Sequence, residues 1–177
     1  MNEPKLDEPS ESLVMTADDI TIAVANWLPW WRYLVVPNVT LFPVSVGEMD
    51  IAALSRANML YEVEVKVSFA DWKADFKKAK WIRMRERGYD SYSPSRFSFA
   101  VPQDLLDTRG LPNECPDWAG ILSVSARTCY DETRLSVKEI RKPRMLHRRP
   151  IALDRILELA HKATHRHWRR RLNGGAK

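Results

Sequence analysis

The sequence predicts an α/β protein built on one mixed sheet with helices packed on both faces. Three observations carry this expectation. Apolar residues recur at every second position over 61–67 and form short runs at 97–101 and 119–124, as strands require. They recur every three or four positions over 20–28, 69–79 and 151–163, as helices require. The two kinds of segment are interleaved, which favours a layered sheet over a bundle or sandwich. With 177 residues, 45% of them hydrophobic, the chain suits a single domain with a real core and is too apolar for wholesale disorder.

Several classes are excluded early. No apolar run approaches the ~18 residues of a membrane span, so no membrane partner is expected. Residues 1–12 are acidic and contain proline, without the basic and then apolar pattern of a secretory signal. Cys115 and Cys129 make neither a disulfide framework nor a CxxC zinc pair, which points to a reduced, cytoplasmic protein.

The elements follow in order. Residues 1–15 read as a flexible acidic leader. Thr16, with Asp18 and Asp19 behind it, is a helix start, and Ile20, Val24 and Trp27 or Leu28 carry the apolar stripe until Pro29. Residues 34–36 and 39–46 are β-rich but interrupted by Pro37 and Pro43, which predicts edge or irregular strands. Residues 48–54 read as a strand, 55–58 as a turn and 59–69 as a longer strand. A helix is expected over 70–87, with Phe69, Trp72, Phe76 and Ala79 on one stripe and Gly88 as terminator. Residues 91–96 form a polar loop, 97–101 a strand closed by Pro102, and 102–117 a connector. Strands at 119–124 and 133–140 precede a closing helix over 151–172. The domain boundaries expected are 16–140 for the α/β unit and 141–177 for a basic helix and tail.

Charge is unevenly spread. Residues 1–20 carry six acidic groups against Lys5 alone, net −5, so the other 157 residues hold +10 of the total +5. All four histidines and thirteen Lys and Arg lie beyond residue 137. Such a surface attracts polyanions, nucleic acid first. Arg144, Arg148, Arg149, Arg169 and Arg170 are candidates for backbone-phosphate contact, with Arg141 and Arg171 beside them. Lys73, Lys77 and Lys80 could track phosphate along the central helix, with Arg96 over the substrate; a plain solvated helix face explains the lysines equally well. His161 and His165 are four apart on a helix, but the flanking arginines argue against metal binding there.

The chemistry concentrates at residues 61–67. At strand period, Tyr61, Val63, Val65 and Val67 face a core, whereas Glu62, Glu64 and Lys66 share the other face. The plain reading is the solvent face of a half-exposed strand. A turn centred on Ala57, however, places Asp50 opposite Glu64, with Glu48 nearby on the same strand. Directly opposed carboxylates repel at ~4.5–5.5 Å, and a divalent cation would turn that repulsion into ligation. Oxygen donors suit Mg²⁺ or Mn²⁺. Lys66 would stand beside the ion to position or deprotonate water, or to stabilise charge on a phosphate. Those are the parts of a phosphodiester hydrolase.

Asp50, then thirteen intervening residues, then Glu64-Val65-Lys66 on the adjoining strand and a helix after it, resembles the PD-(D/E)xK nuclease superfamily. Glu48-Met49-Asp50 stands where that pattern often has Pro-Asp. Within the superfamily the chain is most similar to the MmcB-type DNA-repair endonucleases, through residues 47–54, 63–68, 70–77, 97–102 and 120–124. The likeness covers roughly residues 16–125. It implies a restriction-endonuclease-like fold and an Mg²⁺- or Mn²⁺-dependent endonuclease acting on DNA, with RNA as a second candidate substrate. It further implies that Asp50, Glu64 and the Val65 carbonyl bind metal, that Lys66 is catalytic, and that Asp71, Asp75 and Lys77 support them from the helix. Structural pairing within that helix is the simpler reading of Asp71 and Asp75. Glu48 and Glu62 are supporting carboxylates. Double-strand cleavage from so small a site would favour a homodimer. The rival expectations are an inactive nucleic-acid-binding module and an assembly protein of the same fold.

Overall fold

A computed structural model describes residues 14–29, 31–41, 47–78, 80–81, 93–129 and 132–174. Helix α1 (Ala17–Trp27) leads into β1 (Tyr33–Thr40), β2 (Glu48–Ser55) and β3 (Leu60–Val65). Then come α2 (Phe69–Asp75), β4 (Arg96–Pro102), α3 (Gln103–Arg109), β5 (Gly120–Cys129), β6 (Glu132–Arg141) and α4 (Leu153–Gly174). The strands lie in sequence order in a single six-stranded sheet. The pairs β1–β2, β2–β3 and β5–β6 are antiparallel, whereas β3–β4 and β4–β5 are parallel. Parallel neighbours need a crossover. The segment containing α2 supplies the first and α3 the second. The expected mixed sheet flanked by helices is present.

Local signals account for the ends of the elements. Thr16 and Asp19 form a reciprocal capping box at α1, the Thr16 hydroxyl accepting from Asp19 N–H at 3.2 Å and the Asp19 carboxylate accepting from Thr16 N–H at 2.9 Å. The β2–β3 hairpin closes through Asn58, whose φ of +56° is a left-handed conformation that asparagine tolerates, and Ile51 pairs with Val63 and Ala52 with Glu62. That is the register expected from a turn centred on Ala57. Pro37 does not interrupt β1, because β1 is the edge strand and its missing donor costs no ladder bond there. Instead, Asn38 at φ +47° re-phases the strand, so Val36 and Val39, three apart, both join the same buried cluster. Pro43 lies outside the described residues.

Other expectations are corrected. The strand expected over 59–69 stops at Val65, since Ser68 turns the chain by capping α2 (Asp71 N–H to Ser68 Oγ, 3.2 Å). Val67 is consequently 43% exposed and not part of the core. The helix expected over 70–87 ends at Asp75, and Lys80 and Trp81 are helical again after a turn; residues 82–92 lie outside the described residues. The supposed connector contains α3.

Alternation along the strands sends residues to two different cores. On one face Ile51, Ala53, Tyr61, Val63, Ala100, Leu122 and Val124 pack under Ile20 and Val24 of α1. On the other, Ala52, Leu54 and Leu60 pack against Ile151 and Leu159 of the C-terminal segment. Further along that second face, Phe97, Phe99 and Ile121 meet Trp72 and Trp81. The basic C-terminal helix therefore belongs to the fold. The segment before it straps the strand ends, through Arg144 N–H to Trp118 O, Leu146 N–H to Ser95 O and Ile151 N–H to Asn58 O at 2.8–2.9 Å.

Gly120, at the start of β5, lies against this strap. A Cβ there would come within 2.1 Å of Ser98 Oγ and 2.7 Å of Pro143 Cδ. Ser98 Oγ also accepts the Tyr61 hydroxyl proton at 2.8 Å, so the crowding reaches the middle of β3. Gly120→Ala is expected to lower unfolding stability by about 1–3 kcal/mol in a denaturant titration, with an unchanged m-value.

Candidate active site

The site starts from the hairpin. Its register brings Asp50 of β2 beside the end of β3, where Asp50 Oδ2 accepts the Val65 N–H at 2.7 Å. That bond fixes the carboxyl against Glu64. Asp50 stays half-exposed, whereas the glutamates of β3 and Lys66 just beyond its end are buried: Glu62 is 0%, Glu64 1% and Lys66 3% exposed. The plain reading of this face as a solvated one is overturned, because α2 and the helical pair Lys80–Trp81 cover it.

Buried carboxylates need partners. Lys66 Nζ lies 3.3 Å from Glu64 Oε2 and 3.0 Å from Asp75 Oδ1 of α2. Lys80, 7% exposed, enters from above, with Nζ 3.2 Å from Glu62 Oε1 and in contact with Glu64 Oε1. Asp75 is held in turn by Lys78 at 2.5 Å and by the Trp81 indole N–H at 2.9 Å. Three buried carboxylates thus share two buried ammoniums. Glu62 Oε2 is left without a hydrogen-bond partner among the described residues.

The charges follow from that packing. Burial pushes the Asp50 carboxyl up to about 6, and the neighbouring Glu64 adds to the rise. Burial likewise lifts Glu62 to about 7 against the pull of Lys80. Glu64 is buried too, yet the Lys80 and Lys66 ammoniums outweigh desolvation and hold it below the usual carboxylate range. Lys66 is subject to a burial effect that lowers its pKa, but Glu64 and Asp75 raise it above its ordinary value. At neutral pH Glu64 is a carboxylate and Lys66 an ammonium. Asp50, half-exposed, is the group of this site that combines a pKa near 6 with access to solvent.

Of the residues expected here, Asp50, Glu64 and Lys66 come together, with Val65 between them supplying the N–H to Asp50. Glu62 and Asp75 join as buried ion-pair partners. Asp71 stands 4.0 Å from Lys66 with a half-exposed side chain, at the rim. Glu48 is exposed at the start of β2, and Lys73 and Lys77 are exposed on and just beyond α2. Lys80 is corrected: it is a buried counter-ion and not part of a phosphate-tracking ridge. Its position four residues beyond Phe76, itself four beyond Trp72, was the available signal, since this is the spacing of the buried stripe.

The expected nucleic-acid contacts are also redistributed. Arg96, at the start of β4, and the exposed Arg148 and Arg149 on the strap lie at the far end of the sheet from Lys66; the equally exposed Arg144 there pairs with Asp117 at 3.1 Å. Arg141 is structural, donating to Ala119 O at 2.7 Å and Pro116 O at 2.8 Å. Arg169 is exposed on α4, and the side chain of Arg170 lies outside the described residues.

No family model matches the chain, and no curated protein matches it. Among solved structures it is similar to the SPO1766 protein of unknown function from Silicibacter pomeroyi, at 21% identity and a TM-score of 0.55. The match covers 89% of this chain and 90% of that one. This likeness shows the fold alone.

Two outcomes are expected. Lys80→Met leaves Glu62 and Glu64 buried without their shared cation and should destabilise by about 3–5 kcal/mol; adding Glu62→Gln should recover part of the loss. Asp50 has a folded pKa near 6, above its ordinary ~3.9 when unfolded. Its ionisation therefore opposes folding above pH 6, and the penalty vanishes as the pH falls below the unfolded value. Asp50→Asn should raise the melting temperature more at pH 8 than at pH 4, as read by differential scanning calorimetry.

Proposed function

We propose that this protein is a metal-dependent nuclease that hydrolyses DNA phosphodiester bonds. The supporting observation is the half-exposed Asp50 carboxyl set against the Glu64 carboxylate, with the Lys66 ammonium 3.3 Å from Glu64. The raised pKa of Asp50 marks a place where negative charge is under-compensated. A hard divalent cation fits that deficit. Mg²⁺ sites commonly use one or two carboxylates and leave the remaining positions to water and phosphate. Asp50 and Glu64 would hold the ion, with the Val65 carbonyl as the third protein donor. Among the described residues no group of three or more His, Cys, Asp and Glu gathers to hold a metal, so any ion here relies on water and substrate for its other ligands.

When bound, such an ion supplies Lewis acidity toward the phosphate and a water of lowered pKa. The chain's own residues do the rest. Val65 N–H orients Asp50, and Lys66 and Lys80 orient Glu64. Lys66, kept protonated by Glu64 and Asp75, stabilises the negative charge that grows on the phosphate oxygens and does not act as the base toward water. Trp72 and Phe99, both fully buried, keep the inner side of the site dry and strengthen these electrostatic contacts.

A second reading has one observation in its favour. Both Glu64 oxygens already touch an ammonium, as in a scaffold that binds nucleic acid without cleaving it. Supercoiled plasmid with Mn²⁺ separates the two. The nuclease reading expects nicking that falls about 10²–10³-fold in Lys66→Ala, and a Mn²⁺-dependent rise in melting temperature that Asp50→Asn abolishes. DNA retardation with neither nicking nor a metal-induced shift selects the scaffold.

A further inference from the structure

The two buried ammoniums of the charged layer are held unequally. Lys66 Nζ is shared between Glu64 Oε2 at 3.3 Å and Asp75 Oδ1 at 3.0 Å. Lys80 Nζ is shared between Glu64 Oε1, which it contacts, and Glu62 Oε1 at 3.2 Å. The aromatic roof gives Lys80 a further seat, since its Nζ lies 5.3 Å from the Phe97 ring centroid and 5.4 Å from that of Trp81. Ring faces at such distances attract a cation.

The lysines also differ in what each retains if Glu64 is taken away. Asp75, the second partner of Lys66, is occupied on both oxygens: Lys78 lies 2.5 Å from Oδ1, and the Trp81 indole N–H donates to Oδ2 at 2.9 Å. Glu62, the second partner of Lys80, has an oxygen to spare. Its buried Oε2 has no hydrogen-bond partner among the described residues. A buried acceptor left unpaired is costly, and an ammonium moving wholly onto Glu62 would recover that cost.

We propose that Lys80 is a resident counter-ion that exchanges with the metal, holding Glu64 in the metal-free protein and withdrawing onto Glu62 and the Trp81 and Phe97 rings when a divalent ion takes Asp50 and Glu64. The inference rests on the metal-binding reading of Asp50 and Glu64, and it adds a role for Glu62 and Lys80. After the exchange every carboxylate keeps a cation: the ion serves Asp50 and Glu64, Lys80 serves Glu62, and Lys66 serves Asp75. Leaving Lys80 on Glu64 would instead press two cations onto one carboxylate in a dry layer, where their repulsion is poorly screened. Glu62 and Lys80 are thus positioning residues that set how tightly the ion is held. By linkage, whatever keeps Lys80 on Glu64 weakens the ion, and whatever draws Lys80 to Glu62 strengthens it.

The test titrates Mn²⁺ into the full chain by isothermal calorimetry without nucleic acid, so that activity plays no part. Glu62→Gln removes the charge to which Lys80 withdraws and should weaken Mn²⁺ binding about tenfold. Lys80→Met/Glu62→Gln, in which the second change restores stability, should bind about tenfold more tightly than wild type. If Glu62 acted only as a nearby negative charge, its replacement would cost the same with or without Lys80. Exchange instead predicts that Lys80→Met and Lys80→Met/Glu62→Gln bind alike, within about twofold. Because Lys80→Met is destabilised, the wild type supplies an independent readout: in a Mn²⁺-soaked crystal Lys80 Nζ should stand more than about 4 Å from Glu64 and remain against Glu62. An ion on Asp50 and Glu64 with Lys80 unmoved would overturn the exchange and leave the metal site standing, as would equal Mn²⁺ affinity in wild type, Glu62→Gln and the double variant. Binding by the double variant but not by wild type would support the exchange. Binding by neither would overturn the exchange and the metal site together.

Discussion

Everything in this fold answers to one constraint: two glutamates stand on a strand that is covered on both faces. Glu62 and Glu64 cannot stay ionised in that layer without cations. Lys66 comes from just beyond the end of that strand, and Lys80 is delivered by the segment after α2. The aromatic roof of Trp72, Phe76 and Trp81 positions Lys80, and Trp81 simultaneously ties down Asp75. The packing of that roof and the charge state of the site are therefore one problem. Such an arrangement contributes little net stability relative to an apolar equivalent. Its presence on a strand buried along its whole length is a physical reason to look for chemistry there.

Much of this was legible in the sequence. The period-two pattern at 61–67 placed both glutamates and Lys66 on one face, and the length of the 55–58 turn gave the hairpin register that brings Asp50 to Glu64. Burial of that face was not legible, because it depends on where α2 and α4 settle, and Glu-x-Glu-x-Lys looks the same on a wet strand as on a dry one. The true end of β3 was hidden for a related reason. Val67 continues the alternation, but the Ser68 cap wins locally. Lys80 was misjudged because lysines at helical spacing read as a ridge, although the same position also continues the buried Trp72–Phe76 stripe. Helix α3 went unseen because its leading Pro102 and short length resemble a connector.

The distribution of charge gives the molecule two unlike ends. At one, carboxylates outnumber their cations and Asp50 is exposed to solvent. At the other, Arg32, Arg56 and Arg96 lie near Trp31 and Tyr33 at the strand starts, and the strap brings Arg148 and Arg149 to the same end. The second end is cationic, and the first holds the carboxylates on which the proposed cation site rests. In a nuclease, that polarity would separate capture of a strand from the point of cutting. The fold shared with the Silicibacter pomeroyi protein does not by itself require either property.

The most direct measurement is the anomalous difference map of a crystal soaked in Mn²⁺. The account predicts a peak bridging the Asp50 and Glu64 carboxylates at about 2.0–2.2 Å, with Lys66 Nζ still against Glu64. An empty map at saturating Mn²⁺, with Lys66 and Lys80 holding both Glu64 oxygens unchanged, would contradict it and leave a charged but inert sheet.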